Sequence, residues 1–341
     1  MVRVLKPTFT LIYEGKDITR DLAPLVQSIQ YTDRLDQSAP DLSITVEDPT
    51  LLWLGDWLPS IGDTVTLTIQ YEDSQEVLNA GRFQFDDLES SGPPNTVRLK
   101  FTATDVTKDL RTNKSEEYED TTLAGIAEAI ASRHNLTIVG EIPDISFERQ
   151  TQSEKTDLEF LSQLASEYGL LVKIENENLI FYSWEELDGA EAIATLSYTP
   201  NSPDQSDIRS YRLRYKSRNT YSEATVTSHN PDTNETITAT ATDDRIATGD
   251  SIVDAERAES PQQAEARAKE NLRKANAEQC EGSFTLYQGR ADAVAGANFN
   301  IDGFGTFDGK WQAKETRHEL SPKSGWNCQL KLRRVEPLPV G

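Results

Sequence analysis

The feature that most constrains this chain is strict polar/apolar alternation in short runs, found toward both ends and not in the middle. Asp41-Leu42-Ser43-Ile44-Thr45-Val46-Glu47 and Thr64-Val65-Thr66-Leu67-Thr68-Ile69-Gln70 alternate without a break. Thr8 to Tyr13, Gly81 to Phe85 and Thr96 to Phe101 continue the pattern. Period two puts one face of a strand in a core and the other toward water or a partner. Such strands, broken by Gly, Pro and Asp, predict a small barrel or sandwich. The loop Leu51 to Pro59 is more apolar than its surroundings and carries Trp53 and Trp57. Two Trp residues in a loop either plug a barrel end or contact another chain.

The middle of the chain changes period. Leu123, Ile126, Ala127 and Ile130 form a helical stripe within Thr121 to Arg133. After a short strand, Leu136 to Val139, a helix is predicted over Asp157 to Tyr168. Thr156 and Glu159 form its capping box, and Gly169 supplies a left-handed exit. Leu158, Leu161, Leu164, Ala165 and Tyr168 line one face. A hairpin follows, Leu170 to Ile174 and Leu179 to Tyr182, across the polar turn Glu175 to Asn178. Beyond a linker at Tyr198 to Asp207, alternation returns in Ile208 to Tyr215, Tyr221 to Thr227, Ser283 to Tyr287, Lys310 to Lys314 and Cys328 to Leu332. One helix interrupts, opened by Ser260, Pro261 and Gln263 and striped by Ala264, Ala268, Leu272 and Ala275. The expected fold is therefore mainly β with an α+β insertion. The expected divisions are a first β-domain over 1–105, an α+β domain over 106–190, and a second β-domain over 191–341 holding the helix 260–278. Gly81-Arg82-Phe83 and Gly309-Lys310-Trp311 hint at a duplicated module.

Charge narrows the function classes. The chain carries 34 Lys+Arg against 57 Asp+Glu, a net −23. That balance argues against stable nucleic-acid binding and against anionic lipid. Two cysteines, Cys280 and Cys328, exclude a disulfide scaffold and read as buried free thiols. The N-terminus does not read as a signal peptide, and no run approaches the roughly 20 apolar residues of a membrane span. Synthesis in the cytoplasm without direct membrane insertion is the expectation.

Catalytic patterns are missing from the sequence. His134, His229 and His318 lie far apart and outside metal-ligand spacing; His318 reads as a hydrogen-bonded structural residue. There is no nucleophile elbow, and Gly303 to Gly309 reads as a tight turn rather than a phosphate loop. Glu116 to Asp120 and Asp243-Asp244 read as solvated acidic loops. Glu185-Glu186 and the Asp86, Asp87, Glu89 group would form a glycosidase pair only at a defined separation across a cleft. No catalytic residue, cofactor or metal site is expected.

The segment Thr151 to Leu170 resembles the central signature of the phage late control D family, the baseplate hubs of contractile tails. Gln152, Phe160, Leu161, Leu164, Ala165, Glu167 and Gly169 fill the family's places, and Asn178 to Phe181 match its hairpin return. Toward the C-terminus, Ala264 to Ala275, Tyr287 to Gly289, Gly309, Trp311, His318 and Trp326 to Arg333 are similar to the family's helix, turns and last strands. The resemblance implies two tube-protein-like antiparallel β-barrels flanking a helix-hairpin α+β domain. It implies a structural, non-enzymatic hub, akin to the hub portion of type VI secretion spike proteins. It further implies a homotrimer acting as a pseudo-sixfold adaptor between a hexameric inner tube ring and a trimeric spike, among other baseplate components of a tail or injection particle. The chain stops at Gly341 without needle or OB-fold portions, so the spike is expected to be a separate polypeptide. The competing readings are a tail-tip cell-wall glycan hydrolase and a receptor-binding tail module, the latter needing an exposed platform from Trp53, Trp57 or Trp184.

Overall fold

The computed structural model describes residues 5–35, 39–103, 112–175, 178–216, 220–230, 235–246, 249–255, 257–277 and 279–338. Two compact units emerge. The first comprises Met1–Thr104, Ala192–Arg212 and Gly282–Leu332, and the second Asp105–Glu191, Leu213–Glu281 and Arg333–Gly341.

The chain begins with β1 (Pro7–Tyr13), β2 (Lys16–Asp17), the single helical turn α1 (Thr19–Leu22), β3 (Val26–Arg34), β4 (Asp41–Glu47), β5 (Thr64–Tyr71), β6 (Val77–Ser91) and β7 (Thr96–Ala103). It continues with β8 (Lys114–Thr122), α2 (Leu123–His134), β9 (Thr137–Val139), β10 (Ser146–Lys155), α3 (Asp157–Glu167), β11 (Leu170–Glu175), β12 (Asn178–Ser183) and α4 (Trp184–Gly189). Next come β13 (Ala192–Ser197), β14 (Ile208–Tyr215), β15 (Tyr221–Asn230), β16 (Glu235–Thr242), β17 (Asp250–Asp254) and α5 (Pro261–Ala277). The last strands are β18 (Cys280–Leu286), β19 (Asn298–Asp302), β20 (Gly309–Ser321) and β21 (Gly325–Arg334).

One 13-stranded sheet dominates, and its strand order repeats. The N-terminal strands lie in the order β3-β4-β7-β6-β5-β1, and the later ones in the order β14-β18-β21-β20-β19-β13. Numbering each set along the chain gives the same order both times. The sets differ in one direction: β1 runs antiparallel to β5, whereas β13 runs parallel to β19. They are joined where β20 pairs antiparallel with β3, from Glu315 opposite Arg34 to Leu320 opposite Ile29. Gly81 and Gly309 stand on the corresponding strands β6 and β20 with φ of 92° and 129°, conformations that side chains resist. Two residues on, Phe83 and Trp311 are fully buried in matching places, paired with Val65 and Phe299.

The alternating runs form strands for the expected reason: Val65, Leu67 and Ile69 are buried, and Thr64, Thr66 and Thr68 between them are half-exposed. β3 escapes that pattern. Tyr31, Thr32 and Asp33 are consecutive and all buried, so both faces of this central strand are covered and no alternation remains to read. The acidic run Glu116 to Asp120 is a correction. It is not a solvated loop but part of β8, paired with β10. Arg133 donates to the Glu116 carboxylate and Arg149 to that of Glu117, while Glu119 and Asp120 are exposed, so the run faces water as expected but from a strand.

In the second unit α2 and α3 pack Leu123, Ile126, Ile130, Leu161 and Leu164 around Phe181 and Leu179 of the hairpin β11–β12, with β9 added parallel to β12. Residues 176 and 177 of the hairpin turn lie outside the described residues. The sheet β16-β15-β17 packs against α5 through Val226, Ala264 and Ala268. Ser260 Oγ accepts from the Gln263 amide, as a capping box requires, but the return bond runs to the Glu259 amide. Residue 278 lies outside the described residues. No helix among the described residues is long and apolar enough to cross a membrane.

Candidate functional site

Three places gather the residues singled out above. The first is the start of α3. Thr156 and Glu159 form the full capping box there, which orients Asp157 as the first helical residue. Its carboxylate is fully buried. It accepts from Lys114 Nζ at 2.9 Å, Arg133 Nη1 at 2.8 Å and Gln152 Nε2 at 3.0 Å, with His134 Nε2 at 2.8 Å. Burial by itself would raise this pKa, but the hydrogen bonds from His134, Lys114, Gln152 and Arg133 outweigh it and hold the acid well below its usual range. Gln152, itself buried, also donates to the Lys155 carbonyl, so it clamps the irregular end of β10 against the helix.

The rest of the signature stretch is structural around that point. Phe160 stacks on Tyr118 with ring centroids 5.6 Å apart, while Leu161, Leu164 and Ala165 are core. Glu167 accepts from Arg267 of α5. Gly169 has φ of 80° and ends α3, and the Gly169 carbonyl accepts from the Trp184 amide. A cleft of about 910 Å³ lies in this unit, bordered by Tyr168, Trp184, Glu270, Arg273 and Arg333 among others. Its charges pair with one another: Arg273 with Glu270, Arg333 with Asp188, and Lys269 with Glu185. Arg273 lies 4.1 Å and Arg333 4.9 Å from the Trp184 ring centre.

The second place is His318, on β20 in the sheet unit. Its ring is fully buried, stacked on Tyr31 at 5.9 Å. Nε2 lies 2.8 Å from the Ala293 carbonyl, and Trp326 Nε1 donates to Nδ1 at 3.3 Å. One nitrogen must donate and the other accept, which is the neutral ring protonated at Nε2. Burial pushes its pKa down to about 4. Both nitrogens are engaged, so the ring has none left for a substrate. Trp311 is buried seven residues earlier, donating to the Phe307 carbonyl at 3.0 Å, with Gly309 at the start of the same strand.

The third is the loop after β4. Asp48 accepts from the amides of Leu52 and Trp53, which winds the chain into a short turn. The two Trp rings meet edge to face at 5.7 Å. Trp53 is buried and packs in the core of the sheet unit; Trp57 is 42% exposed. Leu54, Leu58 and Ile61 beside it are exposed as well. One indole of this loop is thus core and the other is open to solvent.

Among the described residues, none of these three places combines a nucleophile, a base and an oxyanion donor. Each histidine has its own partner: His134 is held by Asp157, His229 lies beside Thr236, and His318 lies beside the Ala293 carbonyl. Among the described residues no group of three His, Cys, Asp or Glu side chains is arranged to hold a metal. Cys280 and Cys328 are buried and unpaired, and burial raises both thiol pKa values, that of Cys280 to about 11. Glu185 pairs with Lys269 and Glu186 caps α4 in the second unit, whereas Asp86, Asp87 and Glu89 stand on β6 in the first.

Comparisons with known proteins bear on this arrangement. Residues 55–324 match the family model described as phage tail baseplate hub. The probable baseplate hub protein of Escherichia phage 186 is 28% identical over 179 residues, which are 52% of this chain and 45% of that protein. The aligned stretch thus covers less than half the length of that curated relative. The crystal structure of a tail protein from Neisseria meningitidis superposes with a TM-score of 0.72 at 12% identity, covering 96% of this chain and 97% of that one. A component of the Escherichia coli type VI secretion system, described as structurally similar to T4 bacteriophage tail proteins, superposes with a TM-score of 0.53 at 11% identity over 92% of this chain and 76% of that one.

Proposed function

We propose that this chain, which belongs to the phage tail baseplate hub family, does mechanical work: three copies form a ring that adapts a sixfold tube to a threefold spike. The observation that carries this reading is the strand order repeated twice in one polypeptide. A chain with two equivalent wall segments yields six such segments from three copies, so a threefold assembly can present a nearly sixfold rim. In this reading each strand set is one tube-like barrel wall. One rim faces the inner tube ring, and the other seats a separate trimeric spike.

The protein makes and breaks no bonds in this role. Its buried ionisable groups support that, since the hydrogen bonds around Asp157 and His318 come from the chain's own groups. It is made in the cytoplasm and joins the tail baseplate there, binding neither nucleic acid nor membrane. Native mass measurement tests the assembly: a species at three times 38.1 kDa is expected. A monomer that persists at every concentration and in the presence of its tube protein would sink the ring. Turnover of peptidoglycan by the purified chain would sink the non-enzymatic role.

A further inference from the structure

The cleft of the α+β unit carries more carboxylate than its own cations meet. Each cation that borders it, among the described residues, is already committed. Arg245 Nε and Nη2 donate to the two oxygens of Asp243, at 2.8 Å each. Lys269 is held by Glu185, Arg273 by Glu270 and Arg333 by Asp188. Arg334 donates to the carbonyls of Glu336 and Pro337. On the acidic side a surplus remains. Glu141, Asp244 and Glu336 border the same cleft and are exposed, and among the described residues none stands within ion-pair distance of a cation. Ile142, Leu170, Leu272 and Val335 line the cleft as well, so it offers apolar surface beside the spare charge. Tyr168, 6% exposed at the cleft wall, adds a polar group in want of a partner. Arg267 can donate to its hydroxyl but cannot accept the phenol proton, and no acceptor among the described residues takes it.

We propose that this cleft docks a segment of another protein that alternates Lys or Arg with aliphatic side chains. Charge complementarity selects the sign of the partner: its cations meet Glu141, Asp244 and Glu336, which have no other use for their charge. The apolar lining selects its class. A polyamine would use the carboxylates and leave Ile142, Leu272 and Val335 uncovered, whereas aliphatic side chains bury them. Trp184 is closed as a cage for a small cation, because Arg273 and Arg333 already stand over its ring, 4.1 Å and 4.9 Å from its centre. A peptide also brings backbone carbonyls, the acceptor that the Tyr168 hydroxyl lacks. The volume of about 910 Å³ is enough to bury several side chains of such a segment. An acidic partner would instead set its own charge against three unpaired carboxylates. The contact is steered by opposite charge, so it forms fast at low salt and weakens as salt rises. This inference goes beyond the ring reading and does not depend on it, since every residue it uses belongs to one unit of one chain.

The test titrates the full chain with a fluorescein-labelled peptide that alternates Lys and Leu, followed by anisotropy at low salt. The parent should bind it, and Glu141→Lys, Asp244→Lys and Glu336→Lys in one chain should weaken binding about tenfold. Asp21→Lys, Glu76→Lys and Asp204→Lys make the same change of net charge at exposed positions of the sheet unit, and should leave the affinity within about twofold. A matching peptide of Lys and Gly should bind the parent about tenfold more weakly, since it leaves the apolar lining unfilled. Melting temperatures close to the parent's would show that both variants fold. Hydrogen exchange of the parent should slow at residues 141–142, 184–186 and 335–336 when the Lys-Leu peptide is added. Equal losses in the two variants would overturn the site, because the attraction would then belong to the acidic chain as a whole. Equal binding of the Lys-Gly peptide, or displacement of the Lys-Leu peptide by an equal concentration of spermine, would overturn the peptide as occupant. A parent that fails to bind, with those amides unchanged, overturns the proposal entirely.

Discussion

His318 in the sheet unit and Asp157 in the α+β unit are both withdrawn from solvent, yet one is held neutral and the other charged. The count of donors decides it. Around His318 stand one carbonyl and one indole N–H, which satisfy a neutral ring and offer nothing to a proton on Nδ1. Around Asp157 stand an ammonium, a guanidinium, an amide and an imidazole. Desolvation is large for both, but only the carboxylate has enough partners to offset it. In the α+β unit the buried carboxylate of Asp157 therefore ties β8, α2, β10 and α3 together, whereas His318 is held within its sheet as a neutral ring.

The sharpest way to break that contrast is Asp157→Ala. It leaves Lys114, Arg133 and His134 facing a void and should cost roughly 4 kcal/mol of unfolding free energy in denaturant titrations. The figure stays within the usual range because Lys114 and Arg133 are about 30% exposed and can turn toward water. A loss under about 1 kcal/mol would mean that the carboxylate is dispensable.

Titration separates the two groups by pH. The folded pKa of His318 lies at about 4, below its unfolded value near 6.5, so the unfolded chain binds the proton first. Its contribution is complete above the unfolded pKa and is lost as pH falls toward 4, roughly 3 kcal/mol in all. Asp157, also depressed when folded, loses its contribution only below the unfolded carboxylate range near pH 4. His318→Gln should therefore flatten the stability slope between pH 6.5 and 4, while Asp157→Ala leaves that slope as it is. The reverse pattern would show that the roles are exchanged.

Smaller effects sharpen the picture. Trp326→Phe keeps the ring contact with Tyr71 but removes the donor to His318 Nδ1, for an expected loss of about 1–2 kcal/mol. In the other unit, Thr156→Ala removes one arm of the capping box and should cost about 1 kcal/mol. Equal losses from Thr156→Ala and Asp157→Ala would mean that the helix cap, not the buried charge, is what matters at the start of α3.

Much of the local structure was legible in the residues. The capping box at Thr156 and Glu159, the stripes of α2 and α3, and the alternating strands β4, β5 and β7 all follow from neighbours within four positions. The glycine-led steps at Gly81 and Gly309 fall on strands that hold the same place in the repeated order. Less was legible at the buried charge. Nothing near Asp157 in sequence announces Lys114 or Arg133, and the acidic spelling of β8 pointed to a loop rather than to a strand paired with β10.

The sequence by itself determined which segments become strand or helix, because period and capping are properties of adjacent residues. It determined the acidic balance as well, since that is a sum over the chain. Tertiary structure alone decided the strand order, the burial of β3 on both faces, and the neutrality of His318. Those depend on groups as distant as Gln30 and Arg317, or Tyr71 and Trp326, which meet only once the strands have paired.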